Sequence, residues 1–162
     1  MNYKRLSGLF TLIFILAFPL PAATISFLMV ETGLDEGAQT TQYGSIWEGG
    51  LMEVFFNAGF IVTNSPIARM ENIPEYFNGE LQAYLDDAIM GGAEFFILGF
   101  LEYDSQERNS SLLGIKIEIY HGRDQTQIFE QYFPAGTGRN TNEEFQLAQS
   151  AGRVLVSFIG NI

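Results

Sequence analysis

One stretch near the middle of the chain limits its fold more than any other. Residues 93–103 read Ala-Glu-Phe-Phe-Ile-Leu-Gly-Phe-Leu-Glu-Tyr, and the middle of this run is apolar at every position. Such a short run, bounded by Gly91-Gly92 and Asp104-Ser105, is typical of a strand buried on both faces, whereas a half-buried strand alternates apolar and polar residues. Its length and the interior Gly99 disfavour a buried helix. We therefore predict the central strand of a sheet covered by helices.

The segments on either side of this strand supply the remaining elements. Period-2 patterns predict strands and period-3.6 patterns predict helices. In chain order they give a strand at 24–31, a helix at 45–58, a strand at 60–64, a helix at 74–90, the central strand, strands at 114–120 and 128–133, and a helix at 141–159. Residues 67–73 are predicted to be irregular. Two helices begin with the spacing of a capping box, Ser45 with Glu48 and Thr141 with Glu144.

The element order is β-α-β-α-β-β-β-α. Right-handed crossovers place the second strand on one side of the first strand and the third strand on the other side. We therefore predict an α/β (α+β) fold, a single three-layer domain at 24–162 with three helices and a mixed five-stranded sheet of order 2-1-3-4-5. No internal repeat or linker indicates a second domain.

The N-terminus has the pattern of a secretory signal peptide. Lys4 and Arg5 precede an apolar run at 9–20, which is followed by small residues up to Ala23. The run is shorter than the roughly 20 residues that span a bilayer. We predict a signal peptide at 1–23, cleaved near Ala23, and a periplasmic protein without stable membrane insertion after cleavage. Pro21 stands where a small residue is usual before the cut, so an uncleaved N-terminal anchor remains an alternative.

Composition excludes several classes of function. The 162 residues include 19 acidic and 8 basic side chains, one His and no Cys. A net charge of -11 argues against nucleic acid and anionic lipid as partners. Zinc needs three or four His, Cys or carboxylate ligands, and the only His, His121, falls in a predicted hairpin turn. We therefore predict no catalytic residue, no cofactor and no metal.

Polar residues gather where the first and central strands end. In the predicted order the chain leaves these two strands toward opposite sides, and such switch points at the carboxyl ends of strands are where α/β sheets bind ligands. The candidate partner-binding residues are Glu31, Thr32, Asp35, Glu36, Tyr43 and Asp104. The alternative is that the acidic residues are only the soluble ends of buried strands.

The chain resembles a known family in element order and in two motifs. These are Asn57-Ala58-Gly59-Phe60-Ile61-Val62, where the first helix runs into a strand, and Gly92-Ala93-Glu94-Phe95-Phe96-Ile97-Leu98-Gly99. Behind a signal peptide, this pattern is similar to the small α/β domain shared by the curli-secretion protein CsgG, the penicillin-binding-protein activator LpoB and the amino-terminal domain of TolB. The resemblance implies a cell-envelope domain that binds another protein. It transfers no functional residue, and the absence of Cys makes lipid attachment chemically unavailable.

Three functions follow as hypotheses. The first is an exported, non-enzymatic periplasmic module that binds another envelope protein. The second is a small hydrolase that uses Glu31 with Glu102 or Asp104, which requires two carboxylates roughly 5–10 Å apart in one cleft. The third is a self-associating structural subunit whose edge strand pairs with a neighbouring copy.

Overall fold

The fold is built on one mixed sheet, seen in a computed structural model that describes residues 22–34, 42–73, 79–104, 111–136 and 140–162. Within these residues the sheet has six strands: β1 (Thr24–Thr32), β2 (Ile61–Asn64), β3 (Ala68–Met70), β4 (Phe95–Asp104), β5 (Ser111–His121) and β6 (Gln127–Pro134). The predicted signal sequence before Ala22, together with Asp35 and Glu36, lies outside the described residues.

The sheet order confirms the predicted arrangement. The strands lie in the order β2-β1-β4-β5-β6, with β1 parallel to β2 and β4, and with β5 and β6 antiparallel. One element is a correction. The segment 67–73, predicted to be irregular, contains β3, which pairs in parallel with the second half of β1 beside β2. The edge next to β1 is therefore shared by two short strands.

Strand β4 is buried on both faces, as its sequence predicts. Phe96 and Ile97 point to opposite faces and both are fully buried. Gly99 lies between its neighbours β1 and β5, where a Cβ atom would come 2.7 Å from the Met29 sulfur and 3.0 Å from Ile115 Cδ1. Glycine therefore leaves room for side chains from both neighbouring strands, which would have to shift to admit a Cβ atom.

Three helices lie in the described part of the chain: α1 (Tyr43–Asn57), α2 (Gly79–Met90) and α3 (Thr141–Ile159). No helix in these ranges combines the length and the apolar character needed to cross a membrane. Helices α1 and α3 share one face of the sheet, where Phe27, Trp47, Ile97, Ile117 and Leu155 belong to one buried cluster. Helix α2 packs on the other face through Leu81 and Leu85.

Helices α1 and α3 run parallel to each other at very close range. A Cβ atom on Gly50 would lie 2.6 Å from the Cβ of Ala148, and one on Gly152 would lie 3.0 Å from the Cβ of Val54. Small residues at these crossings let the two backbones approach, and any added methyl group must push them apart. Gly49, one residue earlier, is exposed and meets nothing closer than Phe145 at 3.8 Å.

This contact predicts opposite effects for two neighbouring glycines. Gly50→Ala should lower the free energy of unfolding by about 1–3 kcal/mol because it overpacks the helix contact. Gly49→Ala should raise it by about 0.5–1 kcal/mol, since alanine costs less backbone entropy than glycine in a helix. Urea unfolding of both variants measures the difference. Equal effects of the two substitutions would contradict the close α1–α3 contact.

Neither predicted capping box forms. Helix α1 begins at Tyr43, before Ser45, and its N-cap residue Gln42 makes no side-chain cap. Helix α3 is capped by Asn140, whose side-chain oxygen accepts from the Asn142 N–H at 3.0 Å. The end of α1 was predicted correctly, because Gly59 has a φ of 91° in the left-handed region that glycine favours.

Candidate functional site

The carboxyl ends of β1 and β4 hold a buried acidic residue. The Glu31 side chain is fully buried. Its Oε2 accepts from the Arg69 Nε at 3.3 Å, and its Oε1 accepts from the Tyr103 hydroxyl at 3.2 Å. Arg69 stands opposite Glu31 in the parallel β1–β3 pair and is 40% exposed. The ion pair therefore ties β3 to β1 and extends from the interior to the surface.

The start of α1 lies against the same carboxylate. A Cβ atom on Gly44 would lie 3.3 Å from Glu31 Oε1 and 3.0 Å from the Cδ1 of Ile67. The first turn of α1 contains no acidic residue. Glu31 is consequently an acidic group close to the positive end of the α1 dipole. The residue is held by the sheet, by β3 and by the helix together.

The other predicted site residues have different environments. Thr32 is buried, and its hydroxyl donates to the Leu101 carbonyl at 3.1 Å. Tyr43 is the first residue of α1 and Asp104 is the last residue of β4, and both are half-buried. Thus Glu31 and Thr32 make internal bonds, while Tyr43 and Asp104 reach the surface. Their assignment to partner binding stays a prediction.

The carboxylates suggested for a hydrolase point to opposite sides of the sheet. Paired residues on neighbouring strands share a face. Glu31 pairs with Leu101, whereas Thr32 pairs with Glu102. Glu31 therefore lies on the face covered by α1 and α3, and Glu102 and Asp104 lie on the other face. A substrate held between the two carboxylates would have to pass through the sheet.

Metal-binding chemistry finds no support in the described ranges, where no three His, Cys, Asp or Glu residues come together as a possible ligand group. His121 is the last residue of β5, and its Nδ1 lies 3.0 Å from Asp124 Oδ1 in the following turn. Hydrogen bonds from Thr126 and His121 lower the pKa of Asp124 to about 2. These contacts shape the β5–β6 hairpin turn.

A second buried acid lies on the face opposite Glu31. Glu118 accepts from the Tyr120 hydroxyl at 2.7 Å and from the Lys116 Nζ at 2.6 Å, and the same Nζ lies 5.0 Å from the centre of the Phe100 ring. Burial raises the pKa of Tyr120, and neighbouring Glu118 raises it further. Alternation predicted which residues of β5 share this face, but it did not predict that Glu118 and Tyr120 are buried.

A third polar network joins the two packed helices to the loop after β6. Trp47 Nε1 donates to Glu144 Oε2 at 2.9 Å, and the Gly136 N–H donates to Glu144 Oε1 at 2.6 Å. Trp47 and Glu144 are both buried. In the sequence, Trp47 recurs at helical spacing with Leu51 and Val54, which predicts that it faces the sheet, and its burial confirms this. Its hydrogen bond to a residue 97 positions away left no local signal in the sequence.

Glu48 on α1 predicts a pH effect on stability. Burial raises its pKa above the ordinary 4.5, opposed by a hydrogen bond with Asn64. Its Oε1 is buried, and no hydrogen-bond partner for it lies among the described residues. Below pH 4.5 the carboxyl is protonated in both folded and unfolded states. As pH rises from there, the unfolded state loses its proton first, so the destabilisation caused by Glu48 grows until its folded-state pKa is passed and stays constant above it.

Glu48→Gln should remove this penalty. At pH 7 we expect a gain of about 1 kcal/mol, the lower end of the cost of an unsatisfied buried acceptor. The gain should vanish near pH 4, which thermal unfolding at several pH values measures. Glu53→Gln, an exposed position on the same helix that accepts from Gln149 at 3.0 Å, is the matched control for changing a carboxylate to an amide. A constant difference between Glu48→Gln and the unmodified protein across this pH range would contradict the assignment.

The far edge of the sheet, formed by β6, is an exposed polar surface. β6 has eight residues, and no strand lies beyond it within the described part of the chain. Three consecutive residues of β6 are exposed, although their side chains alternate between the two faces of the sheet: Glu130, Gln131 and Tyr132. By contrast, the edge beside β1 consists of four-residue β2 and three-residue β3. Short edge strands are one way in which proteins protect an edge from pairing.

Backbone bonds show which groups of β6 face outward. The His121 N–H donates to the Thr126 carbonyl, toward β6, and the Gly122 N–H donates to Glu94, toward β4. Odd-numbered residues of β5 therefore direct their backbone groups at β6, since these directions alternate. The residues of β6 that pair with them, Phe129, Gln131 and Phe133, therefore direct their backbone N–H and C=O groups at β5. The N–H and C=O groups of Glu130 and Tyr132 consequently point away from the sheet.

Comparison with known proteins gives likenesses of fold only. No protein-family model matches the chain, and no curated protein matches it. Similar solved structures include the PelC dodecamer from Paraburkholderia phytofirmans, with 11% identity and a TM-score of 0.49 over 80% of this chain and 84% of that chain. Lipoprotein GNA1162 from Neisseria meningitidis has 12% identity and a TM-score of 0.46 over 86% of this chain and 99% of that chain.

TolB from Acinetobacter baumannii is a third similar structure, with 16% identity and a TM-score of 0.41. The match covers 85% of this chain and 27% of the TolB chain. A likeness to part of TolB is therefore found, while the resemblance to CsgG and to LpoB stays a prediction. At these identities and TM-scores, the three likenesses carry no argument about activity or partners.

Proposed function

We propose that this chain is an exported protein of the cell envelope that acts, without catalysis, by binding another protein along the outer edge of β6. The observation that carries this proposal is the open edge itself. Exposed strand edges pair readily with other chains, and proteins that avoid such pairing place Lys or Pro on the edge, shorten it or cover it. β6 is long, has no Lys or Arg, and has its only Pro at the last position, Pro134.

Further observations support export, a protein partner and a non-enzymatic role. The basic start, apolar run and small residues at 1–23 support export. The net charge of -11 favours a protein partner over nucleic acid or an anionic membrane surface. A non-enzymatic role fits the buried carboxylates, because Glu31, Glu118 and Glu144 are each bonded to side chains or backbone of this chain.

The polar residues at the ends of β1 and β4 remain a second candidate surface for the same function. Tyr43 and Asp104 are its half-buried members in the described ranges. Arg69 adds a 40% exposed basic group that the sequence alone did not single out. A partner at this surface would contact Arg69 and reach Glu31 only through it.

Capture from envelope extract separates these surfaces. The full chain with a C-terminal affinity tag is crosslinked in living cells, and the retained proteins are identified by mass spectrometry. Tyr132→Pro removes an outward N–H, a position where an edge strand tolerates proline. Tyr132→Val is its control, because it changes the side chain but keeps the N–H. We expect one specific protein, retained by the unmodified chain and by Tyr132→Val and lost with Tyr132→Pro.

Changing Tyr43 and Asp35 together tests the other surface. Loss of capture in that variant, with Tyr132→Pro unaffected, would move the contact from β6 to the ends of β1 and β4. A chain that retains no specific protein under any condition would contradict the proposed function. Circular dichroism of each variant confirms that loss of capture does not reflect loss of folding.

A further inference from the structure

We propose that the chain which occupies the β6 edge is a second copy of this protein, paired antiparallel about a twofold axis at Gln131. This inference rests on the proposed function, since both place the contact on the same edge, and it adds the occupant and the register. The argument depends on which backbone groups point outward and on which side chains would then oppose each other.

Backbone geometry restricts the pairing to a few registers. In an antiparallel pair, directly opposed residues point to the same face of the joined sheet. Phe129, Gln131 and Phe133 lie on the α1 and α3 face, since they pair with Ile119, Ile117 and Ile115 of the core. A twofold axis therefore opposes odd-numbered residues to odd ones and even to even. The axis must therefore lie midway between the two copies of one residue. The central candidates for that residue are Glu130, Gln131 and Tyr132.

An axis at Glu130 is unfavourable because it opposes two carboxylates directly. Like charges at opposed positions destabilise a strand pair, and each chain already carries a net charge of -11. An axis at Tyr132 is also unfavourable, because it sets the backbone of Glu130 against Pro134. Proline has no N–H to donate, so that pair loses one of its two hydrogen bonds.

An axis at Gln131 separates the carboxylates and moves Pro134 to the end of the pairing, opposite Ile128, so that the central pairs keep all their hydrogen bonds. Glu130 of each copy then opposes Tyr132 of the other copy, and both residues have outward N–H and C=O groups to exchange. On the α1 and α3 face, Phe129 opposes Phe133. Aromatic pairs at opposed positions stabilise a strand pair. Gln131 opposes itself without a change of charge. The β6 sequence is thus complementary to itself in this register.

Long-range charge works against the association. Two copies of net charge -11 repel each other, and added salt screens this repulsion over a distance of about 10 Å at 0.1 M. We therefore expect a weak dimer that becomes more populated as salt or protein concentration rises. The opposite salt dependence is expected for a contact held mainly by pairs of unlike charge.

The absence of cysteine from the sequence makes the register directly measurable. With the axis at Gln131, the two Gln131 residues form a non-hydrogen-bonded pair with Cα atoms about 4.5 Å apart, within reach of a disulfide. The two copies of Glu130, or of Tyr132, would lie about 8 Å apart, which is beyond that reach. Single substitutions Gln131→Cys, Glu130→Cys and Tyr132→Cys therefore give different results.

Each purified full-length variant is treated with diamide, and covalent dimer is followed on a non-reducing gel. We expect Gln131→Cys to shift from one chain of 18.1 kDa to a linked pair, several-fold faster than the other two. Ala83→Cys, an exposed position on α2, measures random collision. Adding Tyr132→Pro to Gln131→Cys should reduce crosslinking to that background, and higher salt should accelerate it.

The outcomes distinguish this inference from the proposed function. Faster crosslinking of Glu130→Cys or Tyr132→Cys would overturn the register. Crosslinking of Gln131→Cys no faster than Ala83→Cys would overturn self-pairing, while leaving capture of a different protein through β6 intact. If capture also fails to depend on Tyr132→Pro, the β6 edge is not the contact at all.

Discussion

Trp47→Ala should lower the free energy of unfolding by about 3–5 kcal/mol, the range for removing a large buried aromatic side chain. Trp47 is fully buried between the sheet and the two parallel helices. The substitution leaves a cavity in that cluster and removes the donor to Glu144. A loss of this size is a large part of the stability of a typical domain. Because Trp47 is the only tryptophan, unfolding is followed by far-ultraviolet circular dichroism.

Trp47→Phe separates packing from the hydrogen bond. Phenylalanine keeps an aromatic ring in the cluster but cannot donate to Glu144 Oε2. We expect it to cost about 1–3 kcal/mol, the penalty for an unsatisfied buried acceptor. In a Glu144→Gln background the additional cost of Trp47→Phe should shrink. The acceptor left without the Trp47 donor is then an amide and not a carboxylate. A Trp47→Phe variant as stable as the unmodified protein would show that the bond contributes nothing.

Arg69→Ala should cost about 3 kcal/mol, the lower end of the range for breaking a buried ion pair. The lower end applies because Arg69 is 40% exposed, whereas Glu31 is fully buried. Removing the guanidinium takes the Arg69 charge away from the Glu31 carboxylate in the interior, which keeps its bond from the Tyr103 hydroxyl of β4. We expect β3 to detach from β1 more readily, which chemical denaturation and amide exchange at Met70 measure.

Two further variants test the cause of that loss. Arg153→Ala removes an exposed arginine from α3, whose guanidinium donates to the Ser150 hydroxyl one turn earlier. It should change stability by less than about 0.5 kcal/mol. Adding Glu31→Gln to Arg69→Ala should recover part of the loss, since a buried amide costs less than a buried charge. If the double variant is no more stable than Arg69→Ala, an unpaired charge is not the cause.

The core order of the sheet could be predicted because it depends on simple patterns. Burial of β4 on both faces follows from its uninterrupted apolar run, and the position of β2 follows from the handedness of the crossover. β3 could not be predicted in the same way. It has three residues, and both its backbone pairing with β1 and the Arg69 bond to Glu31 join residues 38 positions apart.

Both capping-box predictions failed for a shared physical reason. The pattern assumes that the acidic residue turns back to the start of its own helix. Glu144 instead binds Trp47 and the Gly136 N–H, and Glu48 lies toward Asn64 of β2. The two carboxylates that the local pattern assigned to helix caps therefore lie against distant parts of the chain instead.

The candidate site was predicted only in part. The sequence placed Glu31 at the end of β1, but β1 is buried on both faces up to its last residue, so Glu31 is buried too, and its partners come from distant segments. The sequence of β6 indicates its position at the edge of the sheet more clearly. Its run Glu130, Gln131 and Tyr132 is polar or amphipathic on both faces, which is typical of a strand with one unpaired side.

Amide hydrogen exchange at β6 tests the central claim most directly. In dilute protein the N–H groups of Glu130 and Tyr132 should exchange quickly, because they point away from the sheet, while Gln131 is protected by its bond to β5. Raising the protein concentration, or adding the captured partner, should slow Glu130 and Tyr132 and leave Gln131 unchanged. Slow exchange of Glu130 and Tyr132 already in the dilute protein would contradict the account, because the edge would then be closed within a single chain.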